Sequence, residues 1–266
     1  MVLNPRRQTG FESVRTLVRY VDRDQAVIEV NTALKRQVPS TGIDTACPRR
    51  RRRHLRLELR SSDGFHDEHQ VVLHTRHRQS TVRLDVVEPH RWWPAGMGDQ
   101  ALYELTVTLL EDAEVADQWE TTIGFTSVRP CAENALKGHD LSQGEVSLLV
   151  NGESYDIGSV VPIDQADEHR LLPASGDSLL LVRDHYGADI LYDAADRAGI
   201  MLVQCVPIHP GGVPESDVRE QVSRLATHPS LAGWFVGHLG DVSERIAHRI
   251  RRLDPTHTLI TDRQRG

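Results

Sequence analysis

The chain has few cysteines, and their placement excludes two classes of protein. Its three cysteines, Cys47, Cys131 and Cys205, are far apart and odd in number, and none belongs to a CxxC pair. This pattern argues against a disulfide scaffold and against a structural zinc site. A protein of a reducing compartment is the default expectation, because such proteins keep their thiols unpaired.

Signals for a membrane or for secretion are also missing from the sequence. Segments rich in apolar residues, such as Val146 to Val150, are far too short to cross a bilayer. No apolar stretch follows Arg6 and Arg7 near the N-terminus, so no secretory signal is visible. We therefore expect a cytoplasmic protein that does not contact a membrane.

The charge balance gives no general attraction to nucleic acid, because the formal net charge is −7. One local exception is the run of five arginines from Arg49 to Arg53. Such a run could bind a polyanion, but it is more typical of a solvated loop between strands, which is the interpretation we favour. We predict no nucleic-acid partner and no cofactor.

Apolar and polar residues alternate through the first half of the chain. The segments Leu55 to Leu59 and Val82 to Val86 are clear examples, and a strand with one buried face requires this alternation. The predicted strands are 14–21, 25–34, 54–61, 69–76, 80–88, 101–111 and 117–128. Seven short strands within about a hundred residues are typical of an immunoglobulin-like β-sandwich.

The pattern changes after residue 145, where short apolar strands alternate with segments of helical spacing. The predicted strands are 146–150, 179–182, 200–206, 231–236 and 258–261. The predicted helices are 188–198, 218–226 and 242–253. This alternation indicates βαβ units and a parallel sheet.

A series of short motifs occupies residues 91–256. The motifs are Arg91-Trp92-Trp93-Pro94-Ala95-Gly96-Met97-Gly98, Ile123-Gly124-Phe125, Asn151-Gly152, Pro162-Ile163-Asp164, Arg183, Asp196-Arg197-Ala198-Gly199-Ile200, His228-Pro229-Ser230-Leu231-Ala232-Gly233-Trp234 and Leu253-Asp254-Pro255-Thr256. Their order and spacing resemble those of the family 2 glycoside hydrolases, β-mannosidase branch. The resemblance implies an immunoglobulin-like β-sandwich at residues 1–130. It also implies an incomplete (β/α) TIM-type barrel of about five strands at 140–266, whereas a closed barrel has eight.

The resemblance further implies that the residues for cleaving a glycosidic bond are missing. Retaining hydrolysis needs two carboxylates about 5 Å apart, one as nucleophile and one as acid/base. In the family, an asparagine and then the acid/base glutamate follow the tryptophan matched by Trp234. This chain has His238 and Leu239 at those positions. The family nucleophile comes from the seventh barrel strand, beyond the strands predicted here, so we assign no catalytic residue.

Ligand contacts are expected from five residues that lie in or just after the predicted strands. These residues are Arg183, Asp184, His185, Trp234 and His238. The sugar-facing, glycine-rich segment of the β-mannosidases is replaced by the shorter Asp184-His185-Tyr186-Gly187, and carbohydrate is the expected ligand. Because a five-stranded sheet has two open edges, we also expect a homo-oligomer or a partner protein that covers them.

Three histidines and one aspartate follow successive predicted strands and form a candidate metal set. They are His185, His209, His238 and Asp262. Residues in these positions converge on one face of a (β/α) sheet, and zinc accepts imidazole and carboxylate ligands. Fourteen histidines are scattered through the chain, so a chance arrangement is the more common explanation and we assign no metal.

Three functional hypotheses remain open from the sequence. The first is a non-catalytic, glycosidase-derived protein, a pseudo-glycosidase, that binds carbohydrate or a partner chain. The second is an O-glycosyl hydrolase of β-mannosidase type whose active site is rebuilt from new residues or shared between subunits. The third is a decayed gene product with no selected activity.

Overall fold

The structure, a computed structural model, describes residues 10–35, 52–73, 78–131, 146–168, 178–208, 215–237 and 241–261. The chain divides into two units. Unit 1 comprises Met1–Thr16, Ile28–Leu84 and Tyr103–Thr122, and unit 2 comprises Leu17–Val27, Asp85–Leu102 and Ile123–Gly266. These units are interleaved along the sequence, so the expected boundary between residues 130 and 140 stays a prediction.

The seven strands predicted for the first half are confirmed, with ends that shift by a few residues. They are β1 (Phe11–Val21), β2 (Gln25–Leu34), β3 (Arg53–Ser61), β4 (His66–Leu73), β5 (Gln79–Val87), β6 (Leu102–Glu111) and β7 (Glu114–Gly124). One sheet has the order β1-β2-β5 and the other the order β4-β3-β6-β7. In β3, Leu55, Leu57 and Leu59 are at most 1% exposed. The charged residues between them are not buried, so the alternation does place one face inward.

The arginine run ends where β3 begins. Arg53 is the first residue of that strand, and its side chain lies 3.2 Å from a carboxylate oxygen of Glu111 on β6. Arg49 to Arg51 lie outside the described residues, so the interpretation of the run as a solvated loop stays a prediction for them.

A tight turn corrects the prediction for residues 146–150. Asn151 and Gly152 have φ values of 52° and 90°, and positive φ at both central residues of a turn is the geometry of a two-residue β-hairpin. The strand β9 (Val146–Val150) therefore pairs antiparallel with β10 (Glu153–Ile157) and with β8 (Val128–Pro130). The prediction that it belongs to the parallel sheet was wrong, because the Asn-Gly turn reverses the chain at once.

The prediction of a parallel sheet is confirmed, and its five strands lie in sequence order. Four of them were predicted, and β11 takes the place expected for residues 146–150. They are β11 (Ser159–Ile163), β12 (Ser178–Val182), β13 (Met201–Cys205), β14 (Leu231–Val236) and β15 (Thr258–Thr261). The helices α1 (Asp189–Ala198), α2 (Glu215–Leu225) and α3 (Asp241–Leu253) precede β13, β14 and β15. Within the described residues β11 and β15 are the edges of this sheet.

Both faces of the parallel sheet are apolar. Every residue of β13 is buried, as expected for a strand that is covered on two sides. Leu202 faces a cluster that includes Ile250 of α3, whereas Met201 and Val203 pack in a cluster that includes Trp92.

None of the helices that the structure describes is long and apolar enough to cross a membrane.

Candidate functional site

Polar side chains gather at the carboxyl ends of the first three parallel strands. Asp164 and Glu168 follow β11, Arg183 and His185 follow β12, and Gln204 is the penultimate residue of β13. Parallel strands in register bring their carboxyl ends to one edge of the sheet, where such folds place their chemistry. We call these five residues the strand-end cluster.

His185 is held through both nitrogens of its ring. Nδ1 lies 2.6 Å from the carbonyl oxygen of Arg183, and Nε2 lies 2.7 Å from Oε1 of Glu168. The same Glu168 oxygen accepts a bond of 3.2 Å from the backbone N–H of Ala188. Both ring nitrogens of His185 therefore already have partners within the protein.

Gln204 fixes the path of the loop that carries His185. Its Oε1 accepts from the hydroxyl of Tyr192 at 2.9 Å and from the N–H of Gly187 at 3.1 Å. Its Nε2 donates to the carbonyls of His185 at 2.8 Å and Cys205 at 2.6 Å. The amide makes all four of its hydrogen bonds while fully buried. Sequence reasoning missed this residue, whose only signal is a polar side chain inside an apolar strand.

Arg183 and Asp184 are exposed at the same edge of the sheet. A guanidinium nitrogen of Arg183 lies 3.8 Å from a carboxylate oxygen of Asp164, and the two side chains are 47% and 64% exposed. Asp184 has a φ of 62°, a left-handed conformation that aspartate tolerates better than most residues. Together these residues present a charged donor and charged acceptors to solvent.

Trp234 lies in the core. Its ring is 0% exposed, and its indole N–H donates to Oδ2 of Asp254 at 2.7 Å. With no exposed surface, Trp234 acts as a packing residue in this structure and not as the ligand contact expected from the sequence. Its position on β14, a strand buried at five of six positions, accounts for this placement.

Asp254 is a buried carboxylate with several donors around it. The Thr256 hydroxyl donates to it at 2.7 Å and the His257 ring at 2.8 Å, in addition to Trp234. Burial alone would raise the pKa of Asp254. That pKa instead lies well below its usual range, because His257 contributes its charge and a hydrogen bond, and Trp234 and Thr256 donate further hydrogen bonds. The predicted helix 242–253 ends one residue before Asp254, and Asp254 does follow the last residue of α3.

Asp196 joins three of the sequence motifs. Its backbone carbonyl accepts a bond of 2.7 Å from the indole N–H of Trp92. One carboxylate oxygen lies 2.7 Å from Nδ1 of His228, and the other accepts from the N–H of Ser230 at 3.1 Å. Asp196 is 1% exposed. The motifs that carry the resemblance therefore meet in a buried network that holds the fold.

The predicted metal set is represented in the described residues by His185 alone, since His209, His238 and Asp262 lie outside them. Both nitrogens of His185 already have hydrogen-bond partners, and the metal set stays a prediction. Among the residues that the structure describes, side chains of ligand type meet elsewhere in two groups. These are Glu58, His66 and Glu68 in unit 1, and Asp193, Asp196 and His228 in unit 2.

Sequence comparison relates the chain to known glycosidases. The family model described as Glycosyl hydrolases family 2 matches residues 52–125. Beta-mannosidase A of Aspergillus fumigatus is 30% identical over 204 residues, which is 66% of this chain and 22% of that protein. Exo-beta-D-glucosaminidase of Streptomyces avermitilis is 25% identical over 179 residues, 59% of this chain and 20% of that protein. The chain thus spans about a fifth of the length of these relatives.

Solved structures show the same fold. A glycosyl hydrolase family 2 member from Bacteroides cellulosilyticus has a TM-score of 0.70 at 20% identity, over 96% of this chain and 36% of that one. The exo-chitosanase of Amycolatopsis orientalis has a TM-score of 0.66 at 18% identity, over 96% and 32%. The fold is therefore that of the family 2 glycosidases. With the sequence matches, the chain belongs to glycoside hydrolase family 2 and is similar to its β-mannosidases, and the resemblance drawn from the motifs is confirmed.

Proposed function

We propose that this chain is a carbohydrate-binding member of family 2 that does not hydrolyse glycosides. The observation that carries the proposal is Leu239, which occupies the position where the resemblance places the acid/base glutamate. Leucine can neither donate nor accept a proton. General acid catalysis, worth about 10²- to 10⁴-fold in rate, therefore has no donor at that position.

In this proposal the parallel strands belong to an incomplete (β/α) barrel, and β1 to β7 form an immunoglobulin-like sandwich. Barrels of this type bind their ligands at the carboxyl ends of the strands, which is where the strand-end cluster lies. A second copy of the chain or a partner protein would cover the sheet edges β11 and β15, because edge strands present unpaired backbone groups.

The strand-end cluster supports binding more than proton transfer. Its His185–Glu168 pair is satisfied internally, with side chains only 14% and 12% exposed. Arg183, Asp164 and Asp184 are exposed, and charged groups of this kind make strong hydrogen bonds to neutral hydroxyls. These groups suit the binding of a polyhydroxylated ligand and require no reaction of that ligand.

The purified chain is expected to hydrolyse no β-mannoside, β-galactoside or β-glucuronide whose leaving group is a sugar or an alkyl alcohol. Leu239 supplies no acid, so such a leaving group would have to depart as a strongly basic alkoxide. The assay uses high protein concentration and long incubation, with Arg183→Ala run in parallel to expose a contaminating glycosidase. Turnover that persists through repurification and disappears in Arg183→Ala would overturn the non-hydrolytic part of the proposal.

Arg183→Ala is expected to weaken the binding of a β-1,4-linked mannotriose by about tenfold or more. A hydrogen bond from a charged donor contributes about 1.5–3 kcal/mol, and about 1.4 kcal/mol corresponds to a factor of ten in affinity. Titration calorimetry gives both affinities, and Arg23→Ala serves as the control because Arg23 is exposed and lies outside the cluster. Equal affinities for the wild type and Arg183→Ala, or no binding to any glycan on an array, would contradict carbohydrate binding at this cluster.

A further inference from the structure

The groove between α2 and α3 is strongly basic, and the strand-end cluster contributes nothing to it. Its basic lining residues are Arg219, Arg245, His248, Arg249 and Arg252. Glu244 is the only acidic residue among its described lining residues. The groove has a volume of about 620 Å³, which lies within the range of sites for small molecules.

The arginines of α3 are arranged along one face of that helix. Arg245, Arg249 and Arg252 recur at helical spacing, and a rise of 1.5 Å per residue spreads them over about 10 Å. The opposite face carries the buried residues Ile246 and Ile250. Like charges three or four residues apart repel one another on a helix. A bound anion would relieve that repulsion.

We propose that this groove binds a small molecule with two or more phosphate groups. Guanidinium groups pair with phosphate through two parallel hydrogen bonds. A phosphate monoester carries about −1.5 to −2 charges at neutral pH, more than a carboxylate, and gains more from a cluster of cations. The net charge of −7 on the whole chain opposes a long polyanion, which would extend past the groove. A short oligophosphate matches the length of the cationic row.

The probe for this site is inorganic tripolyphosphate, titrated into the whole chain by calorimetry at low ionic strength. One molecule is expected to bind per chain.

Arg245→Gln and Arg252→Gln are each expected to weaken binding at least tenfold, because each removes one guanidinium from the exposed row. Glutamine is a good helix former, so these changes remove charge without breaking α3. Arg251→Gln is the matched control, since Arg251 is exposed on the same helix but does not line the groove.

Several results would overturn the proposal. The first is that tripolyphosphate shows no saturable binding. The second is that the wild type and both groove variants bind it with equal affinity. The third is that Arg251→Gln loses as much affinity as the groove variants do. A hexaglutamate peptide or a single-stranded RNA that binds more tightly than tripolyphosphate, and loses affinity in the same variants, would assign the groove to an acidic protein segment or to nucleic acid instead. Thermal melting by circular dichroism verifies that each variant is folded, and either groove variant is sufficient for the test.

Discussion

Asp254→Asn is expected to lower the free energy of unfolding of unit 2 by about 3–4 kcal/mol. The carboxylate accepts bonds from Trp234, Thr256 and His257, whereas an asparagine amide directs one N–H₂ group at donors that need an acceptor. Urea denaturation followed by fluorescence at neutral pH measures the loss. Asp99→Asn is the control, because Asp99 is exposed and the same chemical change there is expected to cost less than about 0.5 kcal/mol.

The same substitution is also expected to change how stability depends on pH. The pKa of Asp254 is lower in the folded chain than the ordinary value of 3.8. Its ionised form therefore stabilises the fold above about pH 4, and that contribution is lost as the pH falls through the lower, folded-state pKa. The gap in stability between the wild type and Asp254→Asn should narrow as the pH falls below about 4. A gap that stays constant from neutral pH to about pH 3 would contradict this role of the carboxylate.

Gly199→Ala is expected to destabilise unit 2 by about 3 kcal/mol. Gly199 ends α1 with a φ of 71°, and an added Cβ would lie 2.5 Å from the backbone nitrogen of Ala95. Ala95 cannot move away freely, because its N–H donates to the Gly199 carbonyl at 2.8 Å. A left-handed non-glycine residue costs about 1–2 kcal/mol, and overpacking adds about 1–3 kcal/mol.

Gly152→Ala separates the two causes of this loss. Gly152 also has a positive φ, 90°, but an added Cβ there would meet nothing within 4 Å. The backbone conformation alone should therefore cost about 1 kcal/mol at Gly152. Equal losses for Gly152→Ala and Gly199→Ala in urea denaturation would show that the approach of Ala95 contributes nothing.

Periodicity predicted most of the fold because burial of one face is a local property of a strand or helix. The alternation in β3 and the helical spacing of α3 gave elements within a few residues of those observed. The failure at residues 146–150 has a local cause too. Their apolar residues fit a parallel strand and a hairpin strand equally, and the Asn151-Gly152 turn, which entered the prediction only as a family motif, decides between them.

The candidate site was less accessible to sequence reasoning, because its partners are set by tertiary contacts. His185 was predicted to face a ligand, but Glu168, 17 positions away, receives its hydrogen bond. Trp234 was predicted to contact a ligand, yet its indole N–H donates to Asp254, which lies 20 positions further along the chain. No spacing rule predicts such pairs. The position of Arg183 and Asp184 just after a strand could be predicted, because strand ends are defined by the same periodicity as the fold, and their contact with a ligand stays a prediction.

The bond from Trp92 to the carbonyl of Asp196 has a consequence for how the chain is made, because it spans 104 positions of sequence. At a synthesis rate of about 5–20 residues per second, Trp92 leaves the ribosome about 5–20 s before Asp196 does. Met201 and Val203, which share its apolar cluster, emerge later still. During that interval the indole has none of these partners, so the nascent chain presents a large apolar ring to chaperones.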